Sequence, residues 1–389
     1  MMRTILTAAG ALMLGAAPLW AGGIERAPQS IAILFEEGNY AEISVGGVDP
    51  TVKGKDLRQY GPDGVTPIYP GGTKIGDVTK GYAAFGLSYK HQFNPNLSAA
   101  LIIEQPFGAD VGYLNALDGG SPLLSGTYAE VNTTTYSGLL RYKFANDFSV
   151  HGGIRGSHAN GKVGLTGLAY GAISGYEVKF DKDWAAGYII GGAYELPQYG
   201  ARVSLTYNSS IEHDFDTTET VGANKIKSST KVKTPQSVLL EGQTGLNQQT
   251  LLFGSVRWVK WSEFKVKPQT LRSAPPAGFG VADGLVSLED TTTWTIGVGR
   301  RFTENWSGTA SFQYEDQRME LVSPLAPTEG RKGITLAAIY EKDKIKVTAG
   351  VSYFDLTAAK PETGTPDVAR AKVGDSYAWA AGVRIGYRF

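Results

Sequence analysis

The stretch that decides the fold closes the chain: Ser376-Tyr377-Ala378-Trp379-Ala380-Ala381-Gly382-Val383-Arg384-Ile385-Gly386-Tyr387-Arg388-Phe389. Trp379, Ala381, Val383, Ile385, Tyr387 and Phe389 share one parity, and Ala380, Gly382, Arg384, Gly386 and Arg388 share the other. Successive side chains of a strand point to opposite faces, so this segment reads as a strand with one oily and one polar face. The same parity recurs upstream. Trp306, Gly308, Ala310, Phe312 and Tyr314 oppose Ser307, Thr309, Ser311, Gln313 and Glu315. Ala201, Val203, Leu205 and Tyr207 oppose Arg202, Ser204, Thr206 and Asn208, and Ile345 to Tyr353 alternates in the same way against Lys346, Thr348, Gly350 and Ser352.

Composition agrees with this reading. The 389 residues include 50 Gly and 20 Tyr with only 19% charged, which suits many strands and turns rather than several globular domains. Basic and acidic side chains balance at 37 each, so there is no basic footprint for a nucleic-acid partner. With no Cys, disulfides, thiolate catalysis and Cys-ligated metal centres are excluded together.

A soluble sandwich also alternates, so period two alone does not place the chain in a membrane. Three further features do. The apolar faces end in Tyr, Trp or Phe, as girdles at a membrane interface require. Short and long connections alternate strictly. The last residue, Phe389, lies on a strand, as is usual in bacterial outer-membrane barrels. Residues 1–21 read as a secretory signal peptide: Met1-Met2-Arg3, a short apolar run from Ile5 to Ala17, then Leu19-Trp20-Ala21. No later run is long and apolar enough for a spanning helix.

Fourteen strands are expected, starting near Tyr40, Gly81, Leu97, Asn132, Phe148, Trp184, Gly200, Gln236, Thr250, Thr291, Trp306, Gly333, Ile345 and Ser376. Six short turns such as Asn94-Pro95-Asn96 and Lys342-Asp343-Lys344 alternate with seven long links, including 108–129, 212–235 and 262–290. The expectation is an all-β, fourteen-stranded antiparallel transmembrane barrel over residues 40–389, with both termini periplasmic and the long loops outside. Residues 22–39 do not alternate. Their run Ile31-Ala32-Ile33-Leu34-Phe35, followed by Glu36-Glu37-Gly38, reads either as a hatch tucked into the lumen or as a longer first strand.

At this point the residues resemble the FadL/TodX family of outer-membrane transporters for long-chain fatty acids and other hydrophobic compounds. Ala41 to Pro50 looks like the family's first strand leading to Asp-Pro. Pro106-Phe107-Gly108 looks like its Pro-Phe-Gly signature, and Leu205-Thr206-Tyr207-Asn208-Ser209 resembles its LTYRS strand. Pro235 to Val238 and, most specifically, Trp258-Val259-Lys260-Trp261-Ser262-Glu263-Phe264 match two further motifs. The resemblance implies a hatch over 22–39 with Phe35, Glu36, Glu37 and Gly38 at its tip, although the family usually carries Asn-Pro-Ala where this chain has Glu36-Glu37-Gly38. It also implies lateral release through a kinked third strand at Pro106, Phe107 and Gly108. On residues alone, that tripeptide equally well opens the following loop.

A fatty-acid site needs an apolar slot and a cation for the head group. The candidates are Arg155 with Lys162 and His158 just beyond it. The alternative is that lumenal arginines pair with Glu42, Glu104, Glu241 or Glu315 and brace the barrel. Leu114, Leu117, Leu123, Leu124 and Phe279 are candidates for an outer groove, or for loop-to-loop packing. No catalytic set, metal site or cofactor motif is found: Ser157 and His158 are neighbours on a strand and face opposite ways. The expected partners are a long-chain fatty acid or other hydrophobic small molecule, outer-membrane lipids and lipopolysaccharide, and the barrel-assembly machinery through Phe389. The barrel is expected to be a monomer. A non-specific porin, a lipid-acting barrel enzyme and a transporter of aromatic hydrocarbons are the rival readings.

Overall fold

The computed structural model describes residues 24–389 except 28, 276, 277, 282, 365 and 366. The signal peptide read over 1–21 lies outside the described residues, as do the first two residues of the expected hatch.

The alternating segments close into one antiparallel barrel of fourteen strands. They are β1 (Tyr40–Asp56), β2 (Tyr82–Gln92), β3 (Leu97–Glu104, resuming at Gly108–Gly112), β4 (Tyr128–Lys143), β5 (Phe148–Leu165), β6 (Tyr176–Leu196), β7 (Ala201–Asn208, continued by Ile211–Val221), β8 (Asn224–Thr234, continued by Ser237–Gly245), β9 (Thr250–Val259), β10 (Thr291–Arg301), β11 (Trp306–Glu315), β12 (Arg331–Lys342), β13 (Ile345–Leu356) and β14 (Ala371–Arg388). Each strand pairs with its neighbour in sequence, and β1 pairs with β14 from Tyr40↔Arg388 to Asp56↔Ala371, which removes the free edges. The start of β1, the end of β14 and the short turns share one end of the barrel, and the long links share the other.

Parity sorts the two faces. Ile43, Val45, Phe85, Leu87, Leu101, Ile154, Trp184, Trp294, Ile334, Trp379 and Ile385 point outward and are exposed. Arg141, Arg155, Arg202, Glu241, Arg257, Glu315, Arg331 and Lys346 point inward and are buried. An apolar outside around a polar inside is the inverse of a soluble protein and suits a wall solvated by lipid. Several inward charges pair, as the bracing alternative anticipates: Arg384 with Glu42 at 3.1 Å, Arg257 with Glu25 at 2.6 Å and Arg331 with Glu315 at 3.8 Å.

Seven of the fourteen expected starts fall on the observed first residue, and the largest differences are instructive. The stretch 212–235, expected to be a loop, is a hairpin that prolongs β7 and β8, with Ile211↔Thr234 through Val221↔Asn224 in register. Its outward residues Glu212, Asp214 and Asp216 are charged because this part of the wall stands in water, so the oily parity is missing while the inward parity persists at Ile211, His213, Phe215 and Thr217. Strands β5 and β6 likewise run beyond the expected ends, to Leu165 and from Tyr176.

Residues 24–27 and 29–39 lie inside the barrel. Ile31, Ile33 and Leu34 pack with the inward-facing Ala100, Ile102, Leu139 and Ile189. Gly38 adopts φ +62°, a left-handed turn that glycine takes without strain, and feeds the chain into β1. At the opposite end the long links fold over the mouth as an apolar layer that includes Val52, Ile75, Tyr113, Leu123, Leu124, Leu165, Tyr176 and Leu271.

Candidate functional site

The wall is interrupted between β2 and β3. β3 pairs with β2 from Gln92↔Ser98 to Leu87↔Ile103 and then leaves it. Past the break, Gly108–Gly112 pairs with β4, and on its other side meets the link before β2, where Lys80 N–H donates to the Asp110 carbonyl and Gly112 N–H to that of Val78. Between these two limits, residues 82–86 face 105–107 across a window with no ladder. Pro106 supplies the cause, since it has no N–H to offer and its ring restricts the residue before it.

The polar groups released there are satisfied by substitutes. The Thr133 hydroxyl accepts from Phe107 N–H at 3.0 Å and donates to the Phe107 carbonyl at 2.6 Å. The Gln105 side chain accepts from Phe85 N–H at 3.3 Å across the window. The N-terminal segment adds a short rung from inside: Arg26 N–H donates to the Pro106 carbonyl at 2.8 Å and Gly108 N–H to that of Ile24 at 2.7 Å. A Cβ on Gly108 would come within 2.5 Å of the Arg26 guanidinium, which itself lies 4.5 Å from the Tyr82 ring centre.

Two cavities meet at this rung. One, of about 130 Å³, runs through the window and is lined from inside by Arg26, Ala27, Glu104 and Arg384 and from outside by Val45, Phe85 and Val383. The other, of about 100 Å³, lies between the rung and the loop layer. Ile24, Phe107, Ala129, Val131, Val163, Phe180, Phe215, Val232, Trp261, Phe264, Val266, Leu285, Val286 and Leu325 line it, and no Lys, Arg, Asp or Glu does so among the described residues. Its polar side chains are Thr133, Asn160, His213 and Thr234.

The proposed carboxylate site does not assemble. Arg155 points inward, and its two terminal nitrogens are bonded to Gln29 at 2.7 Å, Asn208 at 3.1 Å and the Ser209 carbonyl at 3.0 Å. His158 has the opposite parity and lies 5.2 Å from the outward Trp184 ring. Lys162 is half exposed and pairs with Glu130 at 3.0 Å. The strand period separates them, a constraint that was readable from the odd and even numbering. The groove residues divide as well. Leu123 and Leu124 are buried within the loop layer, Phe279 packs edge-on against Tyr176 at 6.1 Å, and only Leu114 and Leu117 are exposed. Leu123, Leu124 and Phe279 thus take part in loop-to-loop packing.

At the end of the N-terminal segment, the Phe35 ring sits between the guanidinium groups of Arg141 at 4.5 Å and Arg202 at 4.1 Å. Glu36 pairs with Lys346 at 2.9 Å and with Arg388 at 3.7 Å, and Lys90 donates to its carbonyl. Glu37 is exposed. His213 and Trp261, which line the apolar chamber, were not among the expected site residues. Trp261 belongs to the most specific motif of the sequence, and that was the available signal.

The lumen is filled by the chain's own N-terminal segment, and an apolar chamber lies beside the interrupted side wall. Residues 16–389 match the family described as outer membrane protein transport protein (OMPP1/FadL/TodX). The chain belongs to this FadL/TodX family of outer-membrane transporters of hydrophobic compounds, and it is not an enzyme. Its fold is that of a Pseudomonas aeruginosa FadL homologue (TM-score 0.74, 14% identity, covering 100% of this chain and 98% of that one). The Ralstonia pickettii toluene transporter TbuX (TM-score 0.61, 14% identity, 97% and 93% covered) and the P. putida toluene transporter TodX (TM-score 0.60, 14% identity, 91% and 90% covered) share it too. No curated protein matches the chain.

Proposed function

We propose that this barrel takes up small neutral hydrophobic compounds and releases them sideways into the membrane through the window between β2 and β3. One observation carries the reading: the chamber that meets the window is about 100 Å³ and has no Lys or Arg on its lining. A carboxylate placed there would be a buried charge without a partner, which is strongly unfavourable. A cavity that binds benzene measures roughly 150 Å³, so this space must widen even for one ring and is far too small for a long acyl chain. Arg155, the cation expected to meet such a head group, is already bonded to Gln29, Asn208 and Ser209.

In this reading residues 24–39 act as the hatch. The Ile24–Ala27 rung separates the chamber from the window and must part from Pro106–Gly108 for release, a rearrangement that a ligand biases only by binding the open form better. The short turns and both termini face the periplasm, the barrel functions as a monomer in contact with outer-membrane lipid and lipopolysaccharide, and Phe389 is presented to the assembly machinery.

The test is uptake of labelled toluene, oleate and a small sugar by cells with and without the protein, and with Ala84→Trp. Ala84 lines the window, so an indole there fills it. Toluene uptake that needs the protein and falls with Ala84→Trp, while folded barrel persists in the outer membrane, is expected. Oleate uptake alone would restore the fatty-acid reading, sugar uptake alone would make the protein a porin, and unchanged toluene uptake in Ala84→Trp would refute lateral release.

A further inference from the structure

We propose that the cavity at the short-turn end of the lumen binds a small organic carboxylate on Arg202, and that this binding holds the N-terminal segment in its seat. Neither part depends on what the barrel transports. The cavity measures about 350 Å³. Phe35 and Glu36 line it from the N-terminal segment, and the exposed Pro95, Asn96 and Pro197 of two short turns line it toward solvent.

Its charges do not balance. Among the described residues the lining holds four cations, Lys90, Arg141, Lys143 and Arg202, and three carboxylates, Glu36, Glu37 and Glu195. Glu36 is taken by Lys346 at 2.9 Å, Glu195 by Arg141 and, at 3.9 Å, by Lys143, and Glu37 is exposed. Lys90 donates to the Glu36 carbonyl. Arg202 is left over. It is 6% exposed, its guanidinium lies over the Phe35 ring, and it makes no ion pair or hydrogen bond with a described residue. Glu241 and Glu195 act on it only from beyond ion-pair distance. Gln243, across the ladder from it, gives its amide N–H to the Gly200 carbonyl at 3.3 Å. The nitrogens of Arg202 are not sealed, in contrast to Nε of Arg155 and Arg384, so they remain open to a ligand in the cavity that Arg202 lines.

Stacking on a ring uses the face of a guanidinium and leaves the N–H donors at its edge to be satisfied elsewhere. A nine-tenths buried cation in that state is out of place unless an anion completes it. The guanidinium fork matches a carboxylate with two parallel hydrogen bonds. A cavity that binds benzene measures roughly 150 Å³, so this one takes a ring with a carboxylate attached. Phe35 offers that ring a face to pack on. Because the cavity is formed with Phe35 seated, a ligand that fills it stabilises the seated form by mass action. A small organic acid thereby locks the segment from the end of the barrel opposite the loop layer.

The test titrates benzoate, benzamide and inorganic phosphate into the purified barrel in lipid nanodiscs by calorimetry, with empty discs as blank. Amide exchange over 31–38 is followed with and without benzoate. Benzamide keeps the shape without the charge, and phosphate keeps charge without the ring. Hydrogen bonds to a charged group are worth roughly tenfold to a hundredfold in affinity, so benzoate should bind at least about tenfold more tightly than benzamide. Phosphate should bind more weakly than benzoate, and benzoate should slow exchange over 31–38. Arg202→Gln should remove both the preference for benzoate and its effect on exchange, while Arg202→Lys, which keeps the charge and loses the fork, should retain part of each. Heat-modifiable gel migration shows whether the variants are folded, and the wild-type comparison of benzoate with benzamide decides the matter without them. Equal wild-type affinity for benzoate and benzamide, or a preference for benzoate kept by folded Arg202→Gln, would overturn the site. Phosphate binding as tight as benzoate would overturn the organic carboxylate as its ligand. Benzoate binding with unchanged exchange would overturn the lock.

Discussion

Removing one carboxylate should release the N-terminal segment proposed as the hatch. Glu36 and Lys346 are each 3% exposed at the side chain and lie 2.9 Å apart at the closed end of the lumen. Glu36→Leu takes away the anion and leaves the Lys346 ammonium buried against an apolar group. Breaking a buried pair from one side costs about 3–5 kcal/mol. Arg388 is 3.7 Å from Glu36 and a quarter exposed, so its share is small. At 1.4 kcal/mol per factor of ten, the docked-to-undocked ratio of residues 31–38 should fall by about a hundredfold to several thousandfold. Single-channel recording in planar bilayers reads the result directly: wild type should conduct little, and Glu36→Leu should show frequent ion-conducting openings. Amide exchange over 31–38 should accelerate in step, because Leu34 and Phe35 lose their seat near Arg141. Replacing both partners, Glu36→Leu with Lys346→Met, removes the stranded charge and should return conductance most of the way to wild type. Wild-type conductance and exchange in Glu36→Leu, or a double variant no better than the single one, would refute the argument that this pair holds the hatch.

Other outcomes follow from the same geometry. Thr133→Val leaves the Phe107 N–H and carbonyl without their shared partner, at a cost of about 1–3 kcal/mol, and should lower the temperature at which the folded band is lost on gels. Lys162→Ala should leave toluene uptake unchanged, since Lys162 is half exposed and bonded to Glu130 outside the lumen. In the loop layer, burial and then Asp367 push the Glu362 carboxyl up to about 7 from 4.5. The folded form therefore prefers it neutral, and the stability it contributes should be present below pH 4.5 and decline as pH rises through about 7. Thermal transitions at pH 5 and 8 should differ for the wild type and converge in Glu362→Gln; an equal difference in both would count against the assignment.

Strand number, order and orientation were legible because a lipid-facing wall forces one oily parity, and that parity needs no long-range information. Where the wall leaves the bilayer the signal disappears, which is why Glu212 to Asp216 read as an acidic loop and are a strand. The break at Pro106 was visible as chemistry, although the choice between a kink and a loop depended on Thr133, Gln105 and Arg26, which are distant in sequence. The site suffered most from this limit. Arg155 was readable as inward, but its partners Gln29 and Asn208 come from two other segments, and only the folded chain shows that it is occupied. His213 and Trp261 carry no local mark of a cavity; one lies on the hairpin misread as a loop and the other just after β9.

The oily row of β14 also sets a length. From Tyr377 to Tyr387 the outward face is apolar and bounded by aromatic rings, a run of ten residue steps. At about 3.3 Å per step and a tilt near 40°, that row stands about 25 Å high. This is shorter than the hydrocarbon core of a typical bilayer, about 30 Å, and close to that of a bacterial outer membrane. The barrel therefore carries a gauge in its sequence. In thicker synthetic bilayers the surrounding lipid must compress to meet the two rings of aromatics, and the strain would fall first on the seam between β2 and β3, where no ladder resists it. Short-chain lipids are accordingly the medium in which the closed form of this wall should be most faithfully kept.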